Sequence, residues 1–337
     1  MNSPAIIQGV NIDEFLGPSD SRYFGSGYRR IRHDIRDIDM DCETGKFDAT
    51  IGIEYPQDWS KKGARGDLRP HLSTVDILVT AIQLCDAFLL CRFGFNVEQE
   101  RQLWLHHIGI KSARTAHEDL NNIPVHGRYV SCTPSASNGA SHLSTFDVRI
   151  AGFSVDVTVA HPLSESRFPF GPRVVLKHLD ELLGRSRRSL YGHHYKSLTH
   201  NIYDINFPSD AALCARVEIL EDSGYAPTVG VGSGFSGYAS AVDMMITGAQ
   251  LAQTLMYRLD NLSRKNSHNL WMRAFSISMP HPVPRLAPLD LDVGVTKTRI
   301  CSMAGAPWRT AEMTSSCSQI ENFTMSAVIA HQLPSGE

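Results

Sequence analysis

Apolar and polar positions along the chain fall into two series of the same elements. In the first, extended β-branched segments cover 31–40 and 47–55, the second ending at Pro56, where strand pairing would stop. A charged, glycine-containing loop, 58–68, leads to a long apolar helix over 74–93, closed by Gly94. Strand-like runs follow at 103–111, 126–132 and 146–159, the last broken near Gly152, and the polar tract 133–144 predicts a mobile excursion. The second series gives strands near 200–207 and 213–220, a helix over 241–262, and strands at 270–279, 291–301 and 322–331. Between them, 173–188 reads RVVLKHLDELLGRSRR, whose leucines and valines recur at helical spacing; it predicts an amphipathic surface helix, with a basic binding patch as the alternative.

The two series repeat at a fixed spacing. Ser73, Val75, Asp76, Thr80, Gln83 and Leu84 return as Ser240, Val242, Asp243, Thr247, Gln250 and Leu251, each 167 residues on (240 − 73 = 167). Trp104 returns as Trp271, Gly127 as Gly294, and upstream His33, Ile35, Asp37 and Ile38 return as His200, Ile202, Asp204 and Ile205. One offset held over separated blocks predicts two copies of one unit across a pseudo-twofold axis.

Composition narrows the function classes. The 337 residues suffice for two ordinary cores, and 32 basic against 35 acidic side chains leave a formal charge of −3, which favours neither nucleic acid nor an anionic membrane. Seven cysteines without a CxxC pair are no disulfide framework, and the N-terminus lacks a basic region followed by a long apolar one, so a cytoplasmic protein with reduced thiols is expected. The longest apolar stretch, 77–91, is interrupted by Thr80, Gln83 and Asp86 and reads as too short and too polar to span a bilayer.

Periodicity alone gives an α+β class, a helix packed on antiparallel sheet. One long helix among five or six strands, twice over, suggests by analogy the hotdog arrangement of a sheet wrapped around a helix, duplicated as a double hotdog. The expected units are 1–172, a repeat with an N-terminal extension; 173–192, a connector helix; and 193–337, the second repeat.

The helices carry the candidate chemistry. Asp76, Thr80 and Gln83 stand at i, i+4 and i+7, within about 60° of one helix face, and Asp243, Thr247 and Gln250 repeat the stripe. In such apolar surroundings a stripe of polar groups must be satisfied by backbone, water or ligand. Ser73 with Asp76, and Ser240 with Asp243, also match a capping box, which by itself accounts for both aspartates. A helix N-terminus attracts anions and polarises carbonyls, so Asp76 and Asp243 are also candidate catalytic groups. His71, beside Arg69, faces Tyr238 at the matching place in the second half (238 − 71 = 167), a loss of symmetry that suggests division of labour. His71 is thus the alternative base, and Arg69, Ser73, Thr80, Gln83, Tyr238, Ser240, Thr247 and Gln250 are the candidate substrate contacts.

Other motifs are weaker. The loop Gly230-Val-Gly-Ser-Gly234-Phe-Ser-Gly237 has dinucleotide-like spacing without a βαβ context, and reads as a flexible loop able to bind a phosphate or admit a long substrate. The pairs His106-His107 and His193-His194 cannot put both rings on one strand face, so no metal site is expected, nor any cofactor. No Gly-x-Ser-x-Gly elbow is present.

The opening NIDEFLGPSDSRYFGSGYRRI, followed by LRPHLSTVD, resembles the bacterial avirulence D (AvrD) family, over about residues 12–331. The resemblance implies synthesis of small acylated, sugar-derived signals, joining a β-ketoacyl thioester on a carrier protein or coenzyme A to a polyol or sugar, as is also assigned to the butyrolactone-signal synthases. The wider hotdog superfamily handles acyl thioesters, but this chain lacks the dehydratase pattern: no His-x-x-x-Gly-x-x-x-x-Pro precedes the helix, and Val79 and Ile246 stand where an acid is expected. Dehydration or cyclisation of an acyl thioester, and non-catalytic binding of an acyl ligand, remain the other readings. A homodimer is compatible with all three.

Overall fold

The computed structural model describes residues 9–334 except 61–68, 136–141, 223–225, 268–269 and single positions 114, 165, 183, 286 and 304. Most of the expected loop 58–68 and the middle of the tract 133–144 therefore lie outside the described residues. Five α-helices appear among the described residues: α1 (Ile12–Leu16), α2 (Thr74–Phe93), α3 (Val97–Glu100), α4 (Arg185–Arg188) and α5 (Ala241–Leu259). The first-half strands are β1 (Arg32–Asp41), β2 (Lys46–Glu54), β3 (Trp104–Lys111), β4 (Ile123–Pro134), β5 (His142–Ile150) and β6 (Phe153–His161), followed by β7 (Arg173–His178). The second half holds β8 (Leu198–Ser209), β9 (Ala212–Glu221), β10 (Tyr238–Ala239), β11 (Leu270–Ser278), β12 (Val283–Pro284), β13 (Leu289–Met303), β14 (Ala306–Cys317) and β15 (Thr324–Gln332).

Thirteen strands form one antiparallel sheet in the order β7-β1-β2-β4-β5-β6-β3-β11-β15-β14-β13-β9-β8. Read outward from the β3–β11 seam, the order is the same on both sides, with β7 added at one edge. At the seam Gly109 pairs with Ser276, its own counterpart (276 − 109 = 167). The same bulges recur as well: Asp37 and Asp204, 167 apart, both take the left-handed conformation, with φ 51° and 52°. A β-bulge adds one residue and bends the strand, which curls a sheet around what it covers.

What it covers is the two long helices. Every residue of α2 from Val75 to Cys91 is buried, and from Ala241 to Tyr257 all of α5 is buried except Gln253. A helix apolar on every side needs such enclosure. By length and composition α2 could cross a membrane, being longer than the 77–91 stretch suggested, but 94% of its most apolar window is buried inside the protein. Ser73 and Ser240 cap the two helices in full capping boxes, and α2 stops at Gly94 in the left-handed conformation.

Two expectations need correction. The segment 173–192 is not a connector helix: Val174 to Leu176 lie in β7, which pairs with β1, and among its described residues only a 3-10 turn (Leu179–Glu181) and the four residues of α4 are helical. Its alternating Val174, Leu176 and Leu179 satisfy a strand and turn as well as a helix, and an unpaired β1 edge is available to bind them. The second half also contains β14, whose polar, threonine- and serine-rich sequence hid its alternation, bringing its main strands to six.

Candidate active site

Both helix starts are built alike. Asp76 is fully buried and accepts from His33 Nε2 (2.8 Å), the Ser73 N–H (2.9 Å), the Ser73 hydroxyl (2.7 Å) and the Tyr55 hydroxyl. Asp243, equally buried, accepts from His200 Nε2 (2.8 Å), the Ser240 N–H (2.8 Å) and the Ser240 hydroxyl (2.7 Å). Burial pushes each carboxyl pKa up, but the histidine hydrogen bond, the histidine charge and the further donors outweigh it and hold both below the usual carboxylate range. Capping thus describes both aspartates, with a histidine partner as the addition. His33 and His200 were visible in the sequence only as members of the repeat; their recurrence at the same offset as the aspartates was the signal.

The rest of the stripe is satisfied within the helices. Thr80 and Thr247 donate to the carbonyls of Asp76 (2.6 Å) and Asp243 (2.8 Å), while Gln83 and Gln250 donate to Val79 (3.1 Å) and Ile246 (3.4 Å). Only Gln250 does more, accepting from Arg22 Nη1 at 2.8 Å. Hydroxyl and amide back-bonding of this kind needs no ligand.

The two helix starts differ in what lies beside them. Next to α2 opens a cleft of about 180 Å³, lined on one side by Tyr23, Trp59, His71, Ser73 and Thr74 and on the other by Gln250, Gln253, Trp271 and Met272. His71 stacks flat on Trp271, with ring centroids 5.6 Å apart and planes 9° from parallel. Its Nδ1 lies 3.4 Å from the Arg69 carbonyl; donation there leaves Nε2 as the acceptor. Among the described residues no aspartate or glutamate lines the cleft, and His71 is the lining side chain whose chemistry suits a general base.

Asp76 meets the cleft only through Ser73. The Ser73 hydroxyl donates to Asp76 and accepts from the Tyr23 hydroxyl at 2.5 Å. Burial and the Asp76 charge raise the pKa of Tyr23 well above the ordinary phenol, so it stays a donor. The first N–H groups of α2 lack intrahelical partners, and Thr74, the first helical residue, faces the cleft.

Beside α5 the corresponding space is occupied by the glycine-rich loop. The Gly230 N–H donates to Glu100 (2.8 Å), the Val231 N–H to Asp86 (3.1 Å) and the Gly232 N–H to the Leu103 carbonyl (2.8 Å). Phe235 packs edge-on against Trp104, the counterpart of Trp271, at 5.3 Å. A Cβ on Gly234 would stand 2.0 Å from the Arg101 carbonyl oxygen, so glycine is required for this close approach. The loop is therefore a packed element rather than the flexible phosphate-binding or substrate-admitting loop expected.

Of the candidates from sequence, the structure brings His71, Ser73 and Gln250 to the cleft. Asp76, Thr80, Gln83, Asp243, Ser240 and Thr247 are enclosed. Arg69 is exposed and pairs with Glu118 at 3.7 Å, and Tyr238 joins β10 to β12. Arg22, Tyr23, Trp59, Gln253 and Trp271 line the cleft without having been singled out as contacts; four of these five carry no repeat signal, and Trp271 carried one only as a landmark.

A long helix enclosed by antiparallel sheet, with a cleft at its N-terminus, places the chain in the α+β class of hotdog type. It belongs to the AvrD family: the model of the Pseudomonas avirulence D protein (AvrD) matches residues 9–334. A search of the curated proteins finds no match. Solved structures similar over most of the chain include a tesB protein of Mycobacterium avium subspecies paratuberculosis, at 10% identity, covering 87% of this chain and 97% of that one with a TM-score of 0.42. An acyl-ACP thioesterase from Bacteroides thetaiotaomicron matches at 10% identity over 86% and 100%, TM-score 0.42. A 12:0-ACP thioesterase from Umbellularia californica matches at 10% over 85% and 93%, TM-score 0.41.

Proposed function

We propose that the protein is an enzyme that transfers a β-ketoacyl group from a thioester to the hydroxyl of a polyol or sugar, in the cleft beside α2. The observation that carries this reading is the pairing, in one open cleft, of a base (His71) with the N-terminus of a buried helix, bordered by apolar Trp59, Leu270 and Met272. The AvrD resemblance, with its small acylated products, supports the substrate class. In this reading the chain is a double hotdog with one working site.

The thioester carbonyl lies at the start of α2, where Thr74 N–H and the helix dipole stabilise the developing oxyanion. His71 Nε2 takes the acceptor's hydroxyl proton as the new C–O bond forms; the C–S bond breaks and the thiolate leaves with that proton. Asp76 does not touch the reacting atoms. It is a positioning residue that fixes Ser73 and, through it, Tyr23.

The test is to incubate purified protein with β-ketoacyl coenzyme A or carrier-protein thioesters and a panel of polyols, following thiol release and acylated product. The expected result is acceptor-dependent thiol release, abolished in His71→Asn with the fold intact. Tight acyl binding without turnover would overturn the enzymatic reading in favour of a ligand-binding protein, and turnover unaffected by His71→Asn would remove the base.

A further inference from the structure

The cores of the two halves are not equally continuous. The buried apolar side chains of α2 all join the main core, whereas in the second half Ala252, Met256, Ala311, Met313 and Ile329 form a cluster of their own. Between that cluster and the main-core side chains Met245, Phe275, Val293 and Met325 lies a cavity of about 20 Å³. One face of α5 leaves this space: Met245, Gly248, Ala249 and Ala252, at i, i+3, i+4 and i+7, all line it. At the same places α2 carries larger side chains than the last three, Ala81, Ile82 and Cys85 (249 − 82 = 167). The sheet is thinned as well. Phe146 packs edge-on against Phe88 at 5.8 Å and pairs with Val157, but the corresponding residues are Met313, Leu255 and Ala327, the partner of Met313.

The cavity adjoins the cleft. Ala249, Met272 and Ile329 line both, so a single layer of side chains separates the two spaces. That layer and what lies behind it can yield. Four of the side chains around the cavity are methionines, 245, 272, 313 and 325, whose unbranched chains change rotamer readily. A Cβ on Gly248 would stand 2.4 Å from the Met325 Cε, so glycine gives that methyl its present place and room to move along the helix. An apolar space of this kind stays dry, and its walls lack the contacts that an entering hydrocarbon would restore.

We propose that the hydrocarbon tail of the acyl group passes from the cleft between Ala249, Met272 and Ile329 and lies against α5 in this cavity, with Met313 and Met325 moving to enlarge it. The inference rests on the proposed function and deepens it. The half whose helix start is packed with backbone thereby supplies the tail site for a carbonyl held at the start of α2. The side chains at 249, 252 and 327 set how long a straight chain is accepted.

The experiment is calorimetric titration of the full chain with S-alkyl coenzyme A thioethers, butyl to hexadecyl, which cannot transfer an acyl group. Affinity should rise roughly threefold per added methylene and level off once the cavity is full. In methionine-methyl NMR the Met313 and Met325 signals should move with the longer tails and not with butyl, while Met40, in β1 of the first half, stays in place. Ala327→Val restores the first-half residue and lines the cavity but not the cleft. It should leave butyl affinity unchanged, which also reports that the variant is folded, and weaken octyl at least ~tenfold. Ala249→Ile, at the passage, should weaken octyl further, and Met313→Ala should move the levelling-off to a longer tail. Affinity independent of tail length, an unchanged length dependence in both Ala327→Val and Ala249→Ile, or NMR shifts at Met40 in place of Met313 and Met325 overturns the proposal. Thioester turnover measured on the same preparations separates the two ideas: turnover without tail-length preference sinks this one alone, and length-dependent thioether binding without turnover sinks only the enzymatic reading.

Discussion

The starts of α2 and α5 share a serine cap, an aspartate, a histidine partner and a back-bonded threonine, yet one opens on a cleft and the other is packed with backbone. The shared part is what any buried polar helix start requires: each donor and acceptor has a partner, and the arrangement is stable without a ligand. The part that differs is what lies across from it. His71 against Trp271 leaves room, whereas Phe235 against Trp104, with three loop N–H groups on Asp86, Glu100 and Leu103, does not. Residues common to both halves therefore report on the scaffold, and residues that differ between them set the cleft apart from the packed loop.

The largest effect should come from disturbing the filled half. Gly234→Ala forces a Cβ to within 2.0 Å of a carbonyl oxygen and should cost roughly 3 kcal/mol in urea unfolding. Gly237→Ala, with nothing within 4 Å, should stay within about 0.5 kcal/mol. Similar small losses in both would mean that the loop is not tightly seated.

Gln250→Leu and Gln83→Leu sharpen the comparison at the stripe. Gln250 accepts from the buried Arg22 cation, so its loss should cost about 2 kcal/mol, while Gln83→Leu should cost about 1 kcal/mol or less. Equal melting temperatures would show that Arg22 finds another partner.

How much of this could be read from the sequence follows from the same contrast. The helices and most strands were legible because burial on all sides leaves long apolar runs, and because the repeat marked α2 and α5 twice. Residues 173–178 were misread because six residues alternating on a sheet edge also fit a helical period when turn and helix residues follow. The capping boxes were legible, being local in sequence. The cleft was not, since Arg22, Trp59, Gln253 and Trp271 meet only when β11 crosses to β3 and the N-terminal segment folds over α5.

Caps and chemistry separate next. Ser73→Ala and Ser240→Ala should each lose roughly 0.5–2 kcal/mol of stability, since each removes a cap. Only Ser73→Ala should also reduce turnover, by about tenfold or about 1.4 kcal/mol in barrier, because it alone holds Tyr23 at the cleft. Equal turnover in the two variants would detach the α2 start from catalysis.

The smallest difference is expected in acid. Both carboxyls titrate below their unfolded value, so the stability they contribute is present above about pH 4 and is lost as the pH falls through the lower folded pKa. Melting temperatures from pH 5 to pH 2 should therefore fall less steeply in Asp76→Asn and in Asp243→Asn than in the parent, and by similar amounts. Unequal slopes would trace to the additional Tyr55 donor of Asp76.

The β3–β11 seam pairs Gly109 with Ser276, a residue and its counterpart lying side by side on one polypeptide. In an assembly of two identical subunits joined along such a seam, every substitution arrives twice, once on each side of the axis. An acid gained at position 86 would then also appear beside the open cleft, where Gln253 stands. Covalent continuity removes that constraint. Each half can be inherited and selected on its own, so the surroundings of the two helix starts are free to diverge while both helices keep the sheet closed around them.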